Sequence, residues 1–231
     1  MVTDPVSMGL PLETARPPRA VLFDWDNTLV DSWPVIHQAM NTTLVAMGHD
    51  PWRLEETRAR IGLSLRDGFP QLFGARWEEA RDIYYAAFRA VHLDLLRELD
   101  GARALLAALA ARGVFLGVVS NKTGAFLREE VSALGLDALF GAVIGAGDAA
   151  RDKPAADPAL MALDIGGVAP GPDLWFVGDA SVDLACAAQV GCLGVLLRPE
   201  PPAPGEFADH PPALYRAGCR DLLALLERVG A

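Results

Sequence analysis

Ala20-Val21-Leu22-Phe23-Asp24-Trp25-Asp26-Asn27-Thr28 runs four apolar residues straight into a carboxylate and places a second carboxylate two positions on. An unbroken apolar run of this length reads as a strand buried on both faces, the signature of a parallel sheet. Four further runs share the character, at 114–119, 142–144, 174–177 and 193–197. Helical patterns lie between them: 101–112 stops at Gly113, 123–134 at Gly135 and 181–190 at Gly191, glycine being the residue that most easily closes a helix in the left-handed conformation. A Pro-rich loop over 199–212 and a last helix over 221–229 complete this part. Strands alternating with helices predict an α/β domain, a Rossmann-like parallel sheet with helices on both faces.

The alternation breaks over 34–97, where no strand is evident. Trp77, Ala80, Tyr84, Phe88, Val91, Leu95 and Leu99 recur at steps of three and four, one stripe of a long helix. Val35, Ala39, Thr43 and Met47 predict a helix before it, closed by Gly48, and Gly62 and Gly74 punctuate two short helices between. The expected organisation is a loose tail over 1–18, a core over 19–31 and 100–231, and an all-helical insert over 32–99.

The 231-residue chain is 52% hydrophobic and 22% charged, which gives it material for a core and excludes wholesale disorder. Its 20 basic and 30 acidic residues leave a formal charge of −10, which disfavours nucleic acid and anionic membrane as partners. An anionic small molecule stays possible, because a metal ion or a few cations can invert the field in one pocket. Cys186, Cys192 and Cys219 are odd in number and lack CxxC spacing, so a reducing, cytoplasmic setting is expected, with the chain a monomer or a homodimer. No apolar run approaches the roughly 20 residues of a membrane helix, and the N-terminal stretch has no secretion-signal pattern.

Ligands of open parallel sheets bind at the carboxyl ends of the strands. There the chain places Asp24 and Asp26, then Ser120-Asn121-Lys122, then a loop carrying Lys153-Pro154, then Gly178-Asp179 followed by Asp183. Asp24 and Asp26 face the same way in an extended segment. Asp179 and Asp183 share a face across a helix start. Carboxylates converging in this way repel, and either protonation or a hard divalent cation relieves them. Mg2+ suits such a set. A hydroxyl, a lysine and a metal opposite one another make a site for a phosphoryl group.

The ordered set resembles the haloacid dehalogenase superfamily of phosphohydrolases. Its first motif, DxDx[TV], stands as Asp24-Trp25-Asp26-Asn27-Thr28; its second as Ser120; its third as Lys153-Pro154; its fourth, GDxxxD, as Gly178 to Asp183. The resemblance covers nearly the whole chain, and the insert resembles the family's C1 cap. It implies Asp24 as the nucleophile that takes up the phosphoryl group and Asp26 as the acid that protonates the leaving oxygen and then activates water. Ser120 and Lys153 would hold phosphoryl oxygens. Mg2+ would be bound by Asp24, the Asp26 carbonyl and Asp179, with Asp183 in support. Thr28, Asn121 and Lys122 are candidates to line the substrate site, Thr28 bracing the first loop.

The same resemblance narrows the reaction. Dehalogenating relatives lack an acid where Asp26 stands, phosphonate-cleaving relatives need a cap lysine, and 34–97 contains none. Phosphomutases usually carry Val in place of Thr28. A phosphatase acting on a small phosphorylated metabolite is the expectation. Phosphomutase or pyrophosphatase chemistry, or a non-catalytic phosphate-binding protein, are the alternatives. Asp31-Ser32, Val119 to Lys122 and Gly62-Leu63-Ser64-Leu65 are similar to phosphoglycolate phosphatases, although Pro154 is followed by Ala155-Ala156-Asp157 and Ala180 follows the GD pair.

Other features invite plainer readings. Gly145-Ala146-Gly147-Asp148-Ala149-Ala150 matches a dinucleotide fingerprint, yet Pro154 and Pro158 follow where a helix should open. The four histidines show no metal spacing, and Trp25, Trp77, Tyr84 and Phe88 read as packing. Arg60 and Arg66 flank a cap loop that could face the site and read a substrate carboxylate, with solvated surface the alternative.

Overall fold

Strand β1 (Ala20–Phe23) is buried at all four residues, because it has a strand on either side and a helical layer on each face. The computed structural model describes residues 18–61 and 63–229; the tail expected over 1–18 falls, up to residue 17, outside them, as does Gly62. The sheet is parallel throughout, in the order β3-β2-β1-β4-β5-β6, with β2 Phe115–Thr123, β3 Ala142–Ala146, β4 Leu174–Gly178, β5 Leu193–Leu197 and β6 Leu214–Arg216. After β1 the chain builds outward through β2 and β3, then crosses back to lay β4 on the other side of β1. That reversal makes the end of β1 the switch point where such sheets open a crevice.

Strand parity sorts the core. Val21 and Phe23 join Leu105, Leu109, Leu222 and Leu225 on one face; these belong to α5 (Ala102–Ala111) and α9 (Cys219–Val229). Ala20 and Leu22 join Ala159, Leu163 and Ala187 on the other, from α7 (Asp157–Ile165) and α8 (Ser181–Val190). Each fully buried large aliphatic contributes about 1.5–3 kcal/mol.

The segment between β1 and α5 is helical: α1 Trp33–Ala46, α2 Leu54–Arg60, α3 Leu65–Phe73 and α4 Trp77–Leu95. These helices share a cluster of their own, with Met40, Phe69, Tyr84 and Phe88 among its members. Phe126 of α6 (Gly124–Ala133) joins this cluster from the core, so the insert's apolar packing on the core centres on that helix.

Four details differ from the sequence expectation. The strand expected over 114–119 continues to Thr123 with a register shift against β3, so Ser120, Asn121 and Lys122 stand on strand rather than loop. Helix α4 ends at Leu95, because Leu96 turns to extended dihedrals and Leu99 leaves the stripe. Helix α7 and the short strand β6 were not expected. Proline in a first helical turn starts a helix rather than breaking it, and Pro158 holds that place in α7.

The Gly145 motif has a structural explanation. A Cβ there would lie 2.4 Å from Gly124 Cα and 2.7 Å from Lys122 O, all rigid backbone. Gly145→Ala is therefore expected to destabilise the chain by about 1–3 kcal/mol through overpacking. Thermal unfolding should register a fall of roughly 2–4 °C per kcal/mol; an unchanged Tm would show that β3 can shift freely.

Candidate active site

The end of β1 delivers Asp24 between the ends of β2 and β4, since Phe23 is in register with Val118 on one side and Val177 on the other. Beyond it the chain turns back at once. Asn27 adopts a left-handed backbone with φ 61°, which asparagine tolerates better than most side chains, and its amide donates to Val30 O at 2.7 Å. This turn keeps both acids at the crevice while Trp25 points down into the core.

Lys153 is the centre of the site. Its ammonium is 1% exposed and lies 2.7 Å from Asp24 Oδ1 and 2.7 Å from Asp183 Oδ1. Burial works against that charge, but Asp183 and Asp24 outweigh it and hold the ammonium above its ordinary pKa. Asp183 is fixed further by the Ala180 amide, which donates to Oδ2 at 3.0 Å. Gly178 is required beneath it, because a Cβ would fall 2.2 Å from Asp183 Cγ.

Asp24, Asp179 and Asp183 offer carboxylate oxygens within 4.8 Å of one another. Burial, with Asp183 and Asp26 adding to it, pushes the Asp24 carboxyl up to about 6 despite Lys153. Burial and the neighbouring Asp24 raise Asp179 well above its usual range too. One lysine does not neutralise three carboxylates. A hard divalent cation with oxygen ligands suits this donor set, and Asp24 and Asp179, both raised, are the carboxylates such a charge would relieve. The Asp26 side chain is not one of the trio.

Asp26 instead meets Lys122, whose Nζ lies 2.6 Å from Oδ1. Ser32 Oγ donates to the same oxygen. The second arm of Lys122 reaches Glu130 Oε2 at 2.7 Å. Burial pulls the Lys122 pKa down, and the Asp26 and Glu130 carboxylates outweigh it and hold it above its ordinary value. Ser120 is buried, its Oγ accepting from the Lys122 amide at 3.2 Å. Asn121 Nδ2 donates to Lys153 O at 3.0 Å. Thr28 Oγ1 and Asn121 Oδ1 are buried with no hydrogen-bond partner among the described residues.

The structure thus brings Asp24, Asp26, Thr28, Ser120, Asn121, Lys122, Lys153 and Asp179 to one cleft of about 1430 Å³, with Asp183 directly behind. The two insert arginines part company. Arg60 lines the cleft, resting on the Trp52 ring at 4.8 Å and pairing with Glu56 at 3.8 Å. Arg66 lies outside it, ion-paired with buried Asp152 at 2.7 Å, where it ties insert to core. Sequence reasoning missed Ser32, Glu130 and His92. The available signal was Glu130 on the apolar stripe of Phe126, Leu127 and Val131, since an acid there must find partners.

Known proteins resemble this chain in sequence and in fold. The family model for haloacid dehalogenase-like hydrolases matches residues 21–196. A phosphoglycolate phosphatase of Xylella fastidiosa is 32% identical over 178 residues, 75% of this chain and 77% of its own length. Phosphoglycolate phosphatase 1 of Pseudomonas aeruginosa is 29% identical over 236 residues, covering 96% of this chain and 85% of its own. A haloacid dehalogenase-like family hydrolase from Streptococcus pneumoniae superposes with a TM-score of 0.78 at 23% identity, over 89% of this chain and 96% of that one, and shares the fold.

Replacing Lys153 leaves Asp24 and Asp183 facing each other without a counterion. Lys153→Met should cost about 3–5 kcal/mol, the range for breaking a buried ion pair by removing one partner. Thermal denaturation of the metal-free protein reads this directly; a Tm matching the parent would mean that the carboxylates find protons or water at no net cost.

Proposed function

The chain belongs to the haloacid dehalogenase-like hydrolase family, and from that premise we propose that it is a Mg2+-dependent phosphatase hydrolysing a small phosphomonoester through a phosphorylated Asp24. The observation that carries this reading is the division of oxygens at the two acids. In both Asp24 and Asp26, Oδ1 is taken by a lysine while Oδ2 has no hydrogen-bond partner among the described residues.

Oδ2 of Asp24 is therefore free to attack phosphorus, with Lys153 fixing the carboxylate plane. A lysine ammonium has three protons to donate. Asp24 and Asp183 take two of Lys153's, and the third can meet a phosphoryl oxygen, as can the Ser120 hydroxyl. Asp26 lines the same cleft, and Oδ2 is its unpartnered oxygen. It can protonate the leaving oxygen and then take a proton from the water that attacks the phosphorylated Asp24, help worth about 10²–10⁴-fold in such reactions. Asp24, Asp179 and the Asp26 carbonyl would hold Mg2+, Asp183 supporting them, and the ion would offset phosphoryl charge as it develops.

The helical insert acts in this reading as a cap. Tyr84, Tyr85, Phe88 and Leu65 face the cleft from it, and Arg60 brings a cation to its rim. The relatives' names make 2-phosphoglycolate the first substrate to test, with Arg60 the group available to a second anion. Three free cysteines, two of them buried with thiols raised to about 12 by burial, suit the reducing cytoplasm.

Phosphate release from a panel of phosphometabolites should require Mg2+ and stop with EDTA. Asp24→Asn should abolish it, because an amide cannot attack phosphorus, and Asp26→Asn should slow it by roughly 10²–10⁴-fold. Undiminished release by Asp24→Asn would remove the nucleophile assignment.

A second expectation concerns pH. An Asp24 carboxyl raised on folding takes up a proton, so its contribution to stability is present below the ordinary value of 3.8 and is lost as pH rises through about 6. Metal-free protein should lose Tm across that window, and Mg2+ should restore it. At a hundredfold excess over Kd the ion adds about 2.7 kcal/mol. The Mg2+-induced rise in Tm should be larger at pH 7.5 than at pH 5; equal rises at both would place the ion elsewhere.

A further inference from the structure

Glu130 is 1% exposed, in the middle of α6, and the reaction outlined above gives it nothing to do. Three segments meet on it. Trp25 Nε1 donates to Oε2 at 2.7 Å from the β1 turn. Lys122 Nζ donates to Oε2 at 2.7 Å from β2. His92 Nδ1, on insert helix α4, lies 3.1 Å from Oε1. The other His92 nitrogen faces Glu129 at 3.5 Å, and its ring packs between Phe88 and Phe126. Lys122 is equally enclosed, 5% exposed, its ammonium 5.1 Å from the Phe88 ring centre.

As a device for stability the cluster is poor. Burying two charges is costly even when they pair, and packed apolar side chains of similar volume often hold segments together as well or better. What an apolar set cannot do is keep an ammonium pressed on Asp26. Alone, a lysine on a flexible four-carbon stem would swing between rotamers. With Glu130 fixed at both oxygens by Trp25 and His92, the ammonium has one place to be, bridging Glu130 and Asp26.

We propose that Glu130, clamped by Trp25 and His92, is a positioning residue that holds Lys122 against Asp26 Oδ1 and so presents Asp26 Oδ2 to the leaving group. The proposal deepens the phosphatase reading and rests on it. Lys122 and Ser32 occupy one Asp26 oxygen and orient the carboxylate, leaving the other without a partner among the described residues, on a side chain 18% exposed that lines the cleft. One clamp, His92, comes from the insert, so this arrangement is complete only when α4 is seated on α6.

The test separates positioning from folding by the leaving group. A leaving oxygen of high basicity needs a proton in the transition state, whereas p-nitrophenolate hardly does. Parent, Glu130→Gln and Lys122→Met full-length proteins are assayed with Mg2+ on an alkyl phosphomonoester that the parent turns over and on p-nitrophenyl phosphate. Glu130→Gln should lower kcat/KM, which reports the steps through departure of the leaving group, by roughly 10- to 100-fold on the alkyl ester, part of the help an acid–base group supplies, and on the aryl ester several-fold less. In the Lys122→Met background the same change should leave the alkyl-to-aryl ratio where Lys122→Met alone puts it, because Glu130 acts through that lysine.

Equal losses on both esters, an unchanged ratio, or a full further loss in the Lys122→Met background would each overturn the proposal. If Glu130→Gln does not fold, His92→Phe keeps the ring packing and removes one clamp, and the ratio is read there. A parent that hydrolyses neither ester would bring down the phosphatase reading, and the proposal with it. A parent active on both, with a variant ratio like its own, brings down the proposal alone.

Discussion

A single buried ammonium holds the candidate site together. Lys153 lies 129 residues from Asp24 and 30 from Asp183 and bonds both at 2.7 Å. Its charge makes it possible for two carboxylates to share a nearly dry corner. With Asp179 beside them, three acids confront one lysine, so the site carries net negative charge whenever all are ionised. Two responses are open to such a site, proton uptake or cation binding. The raised Asp24 and Asp179 carboxyls express the first, and their shared corner offers the second. The corner is thus tuned to be uncomfortable when empty of positive charge, which is what a site for a metal and a phosphoryl group requires.

The sheet explains why this corner forms where it does. β1 has neighbours on both sides, so its end is walled by the ends of β2 and β4. Packing is tight enough that a side chain cannot be accommodated at two of the walls: at Gly145 the backbone at the start of α6 lies in the way, and at Gly178 the Asp183 side chain does. Strand alternation then divides the first motif. Phe23 and Trp25 descend into one helical layer, Asp24 and Asp26 stay at the crevice, and Asn27 reverses the chain before either can be carried away. Close packing and chemistry are therefore one constraint here, since moving any wall moves a carboxylate.

Much of this was legible in the sequence, for a physical reason. Apolar runs such as Ala20 to Phe23 are continuous because both faces are buried, and glycines such as Gly113, Gly135 and Gly191 stop helices by their left-handed backbone. The acids and Lys153 were legible as a set because strand ends of a parallel sheet collect residues from distant segments. What escaped was local or relational. Pro158 read as a breaker although it sits in a first helical turn, and Leu99 kept the phase of a helix already ended at Leu95. Arg66 read as either a group for a substrate carboxylate or solvated surface, and its ion pair with buried Asp152 is neither. Glu130 escaped although it is an acid on an apolar stripe, because its partners lie 105, 38 and 8 residues away and only the fold brings them to it.

The chain holds two lysines among its 20 basic residues, and both are buried against the two acids of the first motif. Arginine would not serve in either place. A guanidinium is planar and forked, and would engage both oxygens of a carboxylate at once. An ammonium is a compact charge that can hold one oxygen and leave the other free. At Asp24 the free oxygen is the one that can reach phosphorus; at Asp26 it is the one that can carry a proton. The second partner differs in each case, and so does its origin. Lys153 is anchored by Asp183, from the core, and Lys122 by Glu130, whose own grip includes His92 of the insert. In the proposed reaction the nucleophile would thereby be organised by the core alone, and the proton carrier jointly by core and insert. An enzyme built in this way would keep its attacking group ready at all times and complete its acid only when the insert is seated, which is when a leaving group would be enclosed beside it.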